Sequence, residues 1–215
     1  MQDYQHEFID FAIDTGVLCF GEFTLKSGRI SPYFFNSGLF NTGASLSRLG
    51  QFYAAAIIDS GIEFDCIFGP AYKGIPLVAA ASIALSDHHA RNVPYIFNRK
   101  EAKDHAEGGI TVGAKLEGRV LIIDDVISSG MSVDESVDII KAAGATPAGV
   151  AISLDRQERG KVGDTSAITD VKKRHGINVA SIVTLADLMT YLEDKAQYAD
   201  SLTKIQAYEA EYGEK

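Results

Sequence analysis

The chain has few of the features that place a protein in a class at once. It holds only two cysteines in 215 residues, Cys19 and Cys66, far apart and each among apolar neighbours. That spacing matches no zinc or dithiol redox motif, so both are expected to be buried free thiols in a reducing compartment. No apolar run approaches the ~18 residues a membrane span needs. The opening residues Met1-Gln2-Asp3-Tyr4 do not join a basic stretch to an apolar one, so no secretory leader is expected and the setting is expected to be cytoplasmic. Positive charge is scarce as well. Twenty Lys and Arg against 29 Asp and Glu give a net charge of −9, with no basic block. This argues against general binding to nucleic acid or to an anionic membrane, both of which need a basic face. Repeats and low-complexity linkers are also missing. What remains, 46% hydrophobic and 23% charged residues, is ordinary for a soluble globular protein, and residues 1–215 are expected to form a single domain.

Tyr4, Phe8, Phe11 and Ala12 fall at helical spacing and predict an opening amphipathic helix. The segment 17–40 mixes aromatics with Gly21, Gly28, Pro32 and Gly38, which predicts short antiparallel strands. Strands and helices then alternate. Strands are expected at 66–69, 94–98, 120–123, 148–154 and 179–183, helices at 46–58 and 75–85, and two helices at the C-terminus. His88 and His89 fall in an expected loop after the second of these helices, with no zinc-site spacing around them. Such alternation implies a mostly parallel sheet covered by helices on both faces, an α/β fold with ligands at the carboxyl ends of the strands. The segment 99–115 shows no period and is expected to be a long loop. It carries Arg99, Lys100, Lys103, His105 and Lys115, the densest cationic cluster of an acidic chain.

The run Val120 to Ser132, Val-Leu-Ile-Ile-Asp-Asp-Val-Ile-Ser-Ser-Gly-Met-Ser, carries the most chemistry. An apolar strand ends in two carboxylates, small residues make a turn, and a helix follows, with Ser132 and Glu135 expected as its capping box. Small residues and helix-start N–H groups suit a phosphate. Asp124 and Asp125 would repel a phosphate and suit hydroxyls instead. A ligand with a phosphate at one end and hydroxyls beside it is a ribose 5-phosphate. A plain strand-to-helix turn or a signalling receiver domain could also place acids after an apolar strand; receivers, however, carry it near the start of the domain.

Gly69-Pro70-Ala71-Tyr72-Lys73-Gly74 forms a second strand-to-helix turn, with Lys73 at the same sheet edge. Phe34 and Phe35 are either core or a wall for a flat heterocycle, with Lys26 near an electron-rich substituent. Arg156, after the strand at 148–154, can pair with a carboxylate or with Glu158; Arg159 is a more distant competitor.

The 124–132 run closely resembles the 5-phosphoribosyl-1-pyrophosphate (PRPP) motif of the type I phosphoribosyltransferases. With Leu25-Lys26-Ser27-Gly28-Arg29 to Phe35 and the Arg99-Lys100-…-Lys103-…-His105 segment, nearly the whole chain resembles the bacterial-type orotate phosphoribosyltransferases. That resemblance implies the type I phosphoribosyltransferase fold, with a small N-terminal hood, largely residues 17–40, over the base site. It implies transfer of phosphoribose from PRPP to orotate. Tyr72, Lys73, Arg99, Lys100, Lys103, His105 and the run Asp124, Asp125, Val126, Ile127, Ser128, Ser129, Gly130, Met131, Ser132 correspond to PRPP contacts. Phe34, Phe35, Ser128 and Arg156 correspond to orotate contacts, and Lys26 to both. Lys26, Lys73, Lys103, Asp124 and Asp125 are the catalytic set. Ser128 stands where the family more often has threonine, which keeps the hydroxyl. The resemblance further implies Mg²⁺ carried by the pyrophosphate rather than by protein ligands, and a homodimer with shared sites. Two other functions stay open. A purine phosphoribosyltransferase would lack the Lys26 and Arg156 pairing, and a PRPP-sensing regulator would show a basic face or an added nucleic-acid-binding domain.

Overall fold

The structure, a computed structural model, describes residues 1–103, 109–160 and 163–214, with the side chains at 102, 103 and 109 outside the description. Helix α1 (Asp3–Asp14) leads into a two-stranded antiparallel unit, β1 (Leu18–Thr24) and β2 (Ile30–Phe35). Next come α2 (Gly43–Asp59), β3 (Cys66–Gly69), α3 (Gly74–His89), β4 (Tyr95–Lys103), β5 (Gly109–Gly113), β6 (Arg119–Ile123) and α4 (Met131–Ala142). The chain continues through β7 (Thr146–Asp155), α5 (Ala167–His175), β8 (Asn178–Thr184), α6 (Leu185–Glu193) and α7 (Ala199–Tyr212). The main sheet has the order β5-β4-β3-β6-β7-β8, parallel except for β5 at one edge.

Strand β6 shows why the sheet is two-faced. Its side chains alternate, so Leu121 and Ile123 join one core with α1, α2, α3 and α6. Val120 and Ile122 join the other, beneath α4 and α5. All four are fully buried. The mostly parallel α/β architecture and the antiparallel hood strands are therefore as expected.

Four expectations change. The segment 99–115 is not simply a loop: Arg99 to Lys103 prolong β4, and 109–113 return antiparallel as β5, pairing Asn98 with Thr111 and Lys103 with Gly109. The register shifts between these two pairs, and such strand extension leaves no apolar period in the sequence. Helix α3 runs on to His89, so both histidines belong to its last turn. The short helix α5 lies in a stretch for which no element was expected. Helix α4 has no Ser132–Glu135 capping box; it begins after Gly130 in the left-handed conformation, φ +81°, with no side-chain cap. The Ser132 hydroxyl is instead donated to Asp124. Cys66 is buried and Cys19 half-buried, both unpaired. Among the described residues no helix is long and apolar enough to cross a membrane.

Candidate active site

Four neighbouring parallel strands, β4, β3, β6 and β7, deliver their carboxyl ends to one edge of the sheet. At or just beyond those ends lie the Arg99–Lys103 part of β4, Tyr72–Lys73, Asp124–Ser132 and Arg156. This is the crevice where open α/β sheets bind ligands.

The acid pair is built into the protein rather than hung on it. Asp124 and Asp125 are each only 7% exposed. Asp124 Oδ1 accepts the Asp125 N–H at 2.9 Å, and its Oδ2 accepts the Ser132 hydroxyl at 2.9 Å. Burial, and then the neighbouring Asp125, push the Asp124 carboxyl up to about 6. Asp125 Oδ2 receives Lys73 Nζ at 2.7 Å and the Ser37 hydroxyl at 2.6 Å, while Oδ1 accepts the Val126 N–H at 3.0 Å. Behind the pair, the fully buried Tyr53 of α2 donates its hydroxyl to the Asp124 carbonyl at 2.7 Å and lies 2.7 Å from Ser153 Oγ.

The turn 69–74 is compressed. A Cβ on Gly69 would stand 2.2 Å from the Gly74 carbonyl oxygen, so only glycine allows this approach. The Ala71–Tyr72 peptide bond is cis. Buried Asn98 of β4 accepts the Ala71 N–H at 2.7 Å and anchors the turn. Tyr72 is 71% exposed, and Lys73 precedes α3.

After the acid pair, Val126 packs towards one core and Ile127 towards the other. Ser128, Ser129 and Met131 are exposed and Gly130 is buried, so a short open turn lies before α4. On β4, Arg99 is half-buried, and Lys100 Nζ lies 3.9 Å from the Glu135 carboxylate. Lys103 pairs through its backbone with Gly109; its side chain and His105 lie outside the described residues.

Arg156 sits under the hood. Its Nε donates to Glu158 Oε1 at 2.8 Å, Nη2 donates to Ser31 Oγ at 3.1 Å, and the guanidinium lies 4.2 Å from the Tyr33 ring centroid. The pairing with Glu158 considered from the sequence is present, yet half-buried rather than on the open surface. Arg159 turns elsewhere, towards the Glu211 carbonyl and Asp164. Lys26 is exposed in the turn between β1 and β2. Phe34 and Phe35 point to opposite faces of β2: Phe34 is 40% exposed and stacked on Phe23, and Phe35 packs against the core near Phe8. Their side chains therefore do not form one wall.

Sequence reasoning missed Ser37, Tyr53, Asn98 and Ser153. Asn98 and Ser153 carried a signal, since a polar residue inside an apolar strand implies a buried hydrogen bond. Ser37 and Tyr53 carried none.

The phosphoribosyl transferase domain model matches residues 41–182, the stretch that holds Lys73, the acid pair and Arg156. An orotate phosphoribosyltransferase of Enterobacter sp. (strain 638) is 59% identical over 213 residues, covering 99% of this chain and all of that one. One from Thioalkalivibrio sulfidiphilus is 61% identical with the same coverage. The chain belongs to the orotate phosphoribosyltransferase family. The crystal structure of the orotate phosphoribosyltransferase of Francisella tularensis superposes with a TM-score of 0.88 at 45% identity, covering 96% of this chain and 99% of that one. The wider domain model starts after the hood, so Lys26, Phe34 and Phe35 fall outside it. The similarity to orotate phosphoribosyltransferases extends across the hood as well.

Proposed function

We propose that this site carries out the family's reaction on its own residues as follows. The enzyme transfers the 5-phosphoribosyl group of PRPP to orotate, giving orotidine 5′-phosphate and pyrophosphate in pyrimidine biosynthesis. The carrying observation is the placement of an acid pair with Lys73 and of a half-buried arginine at the same strand edge.

The turn 126–132 offers backbone N–H groups to the 5′-phosphate, helped by the start of α4. Asp124 and Asp125 hold the ribose hydroxyls and place negative charge near the anomeric carbon as positive charge develops there. Lys73, which pairs with Asp125 in the free protein, turns to the pyrophosphate. Tyr72, Arg99, Lys100, Lys103 and His105 complete that pyrophosphate contact, with Arg99 and Lys103 neutralising the leaving group. Arg156 receives the orotate carboxylate. Ser128, Lys26 and the Phe34–Phe35 segment border the ring, with Phe35 acting through its backbone and packing. The orotate ring nitrogen attacks as pyrophosphate leaves, and the anionic base needs no strong general base.

Among the described residues no three His, Cys, Asp or Glu side chains converge as a metal shell. The donors near the acid pair are carboxylates and the hydroxyls of Ser37 and Ser132, hard oxygens that suit a cation already ligated by phosphate. Mg²⁺ brought in on the pyrophosphate supplies charge neutralisation there. A single domain over 1–215, a cytoplasmic homodimer and a basic arm serving the partner's site belong to the same proposal.

The test is loss of orotate ultraviolet absorbance on mixing protein, PRPP and Mg²⁺, with uracil, adenine and hypoxanthine as comparison bases. Turnover of orotate and little of uracil is expected. Equal turnover of uracil overturns the role of Arg156, and turnover of a purine in preference to orotate overturns the substrate.

A further inference from the structure

Glu158 lies two residues beyond Arg156, and its side chain is only 12% exposed. Four side chains from separate parts of the chain converge on it. Oε1 accepts from Arg156 Nε at 2.8 Å, and from the Tyr33 hydroxyl of β2 at 3.4 Å. Oε2 accepts from the Tyr208 hydroxyl of α7 at 3.2 Å, with Arg29 Nη1 at 3.7 Å. Arg156 Nη2 stands 2.5 Å from Oε1 and also donates to Ser31. Two of the three guanidinium nitrogens, Nε and Nη2, are therefore engaged by Glu158 and Ser31, with the Nη1 side outside these contacts, and the Tyr208 hydroxyl lies against the guanidinium as well as against Glu158.

The segment carrying Glu158 is itself clamped by the C-terminus. Arg159 N–H donates to the Tyr212 carbonyl at 3.0 Å, and Glu214 N–H donates to the Gln157 carbonyl at 2.9 Å. Arg29 links the same parts, donating to the Arg159 and Gly160 carbonyls at 2.9 and 3.0 Å and stacking 4.7 Å from the Tyr212 ring centroid.

An acid beside an arginine meant to attract an anion lowers the local positive potential. Attraction alone therefore gives no reason for Glu158 to be there; direction does. A guanidinium is a planar fork whose unused edge points away from the edge already bound. We propose that Glu158 is a positioning residue that, held by Tyr208 of the C-terminal helix, aims the free edge of Arg156 at the carboxylate of the base. The C-terminal helix is then part of the base-specificity apparatus. This rests on the assignment of Arg156 to orotate made above.

Orientation and attraction give opposite signs for one substitution. Glu158→Gln keeps the shape and removes the charge. If Glu158 orients Arg156, the KM for orotate rises about tenfold, the usual scale for loosening one charged hydrogen bond, while the KM for PRPP moves less than about twofold. Tyr208→Phe, which removes only the hydroxyl contributed by α7, raises the orotate KM about two- to threefold in the same selective way. An unchanged or lowered orotate KM in Glu158→Gln overturns the proposal, as does an equal rise in both KM values. If Glu158→Gln does not fold, Tyr208→Phe decides by the same criteria. Arg156→Ala in the same assay separates the two levels. If it leaves the orotate KM unchanged, the assignment of Arg156 falls and this inference with it. If it raises that KM while Glu158→Gln does not, only the role of Glu158 falls.

Discussion

Lys73 Nζ lies 2.7 Å from Asp125 Oδ2, joining the turns that follow β3 and β6 across 52 positions of sequence. The lysine side chain is 63% exposed and the aspartate side chain 10%. An exposed cation adds little to stability, commonly about 0–1 kcal/mol, because water already solvates it. A preorganised cation at a leaving group is worth far more, on the order of 3 kcal/mol. Lys73→Gln is thus expected to cost roughly a hundredfold in kcat/KM for PRPP. Its melting temperature should stay within about 4 °C of wild type. A large loss of melting temperature would make the pair structural.

Asp124 makes stability depend on pH in an unusual direction. Its carboxyl is raised from 3.8 to about 6 by burial first and by Asp125 second. The folded protein therefore holds this proton where the unfolded chain has released it. The destabilisation is absent below about pH 4, grows as pH rises through 4 to 6, and stays constant above, reaching about 3 kcal/mol. Asp124→Asn should lose activity yet be more stable than wild type at pH 8, with the gain shrinking towards pH 4. Denaturant unfolding of both proteins at the two pH values checks this; a variant destabilised at pH 8 would refute it.

Gly69 and Gly43 offer a matched pair. A Cβ at Gly69 meets the Gly74 carbonyl oxygen at 2.2 Å and Val78 Cγ1 at 2.7 Å, whereas at Gly43 nothing lies within 4 Å. Gly69→Ala is expected to destabilise by more than about 2 kcal/mol and to weaken PRPP binding. Gly43→Ala, in the first turn of α2, should be neutral or stabilising by up to about 1 kcal/mol. Urea midpoints of the two variants provide the comparison.

The basic arm gives a complementation test of the proposed shared site. Lys103→Ala should lose about a hundredfold in rate and still bind orotate. Arg156→Ala damages the base side instead. If the arm acts on the partner subunit, exchange between the two weak homodimers restores activity towards about a quarter of wild type for random mixing. Subunit exchange confirmed by mass with no return of activity would place the arm in its own subunit's site.

Residue order alone sufficed wherever neighbours along the chain do the work. The apolar run before Asp124, the strand-to-helix turn at 69–74 and the strand–helix alternation all report local backbone geometry, and each was legible in the sequence; that Gly69 and Gly74 are needed for close approach rather than for unusual backbone angles was not. Even there a local signal can lose. Ser132 and Glu135 read as a capping box, yet the Ser132 hydroxyl is donated to Asp124 and Gly130 starts the helix. Residues 99–103 showed no period, because they extend β4 past its regular pairing, with a register shift between Asn98 and Lys103, rather than covering a buried face. The tertiary structure decided which side chains meet. Ser37 reaches Asp125 across 88 positions, Tyr53 reaches the Asp124 carbonyl across 71, and Tyr33 reaches Glu158 across 125. These distances depend on strand order and on where the hood folds back, which no window of neighbouring residues encodes. Arg156 was recognisable as an arginine after a strand; the direction of its free edge exists only once Glu158, Ser31 and the Tyr33 ring have closed around it.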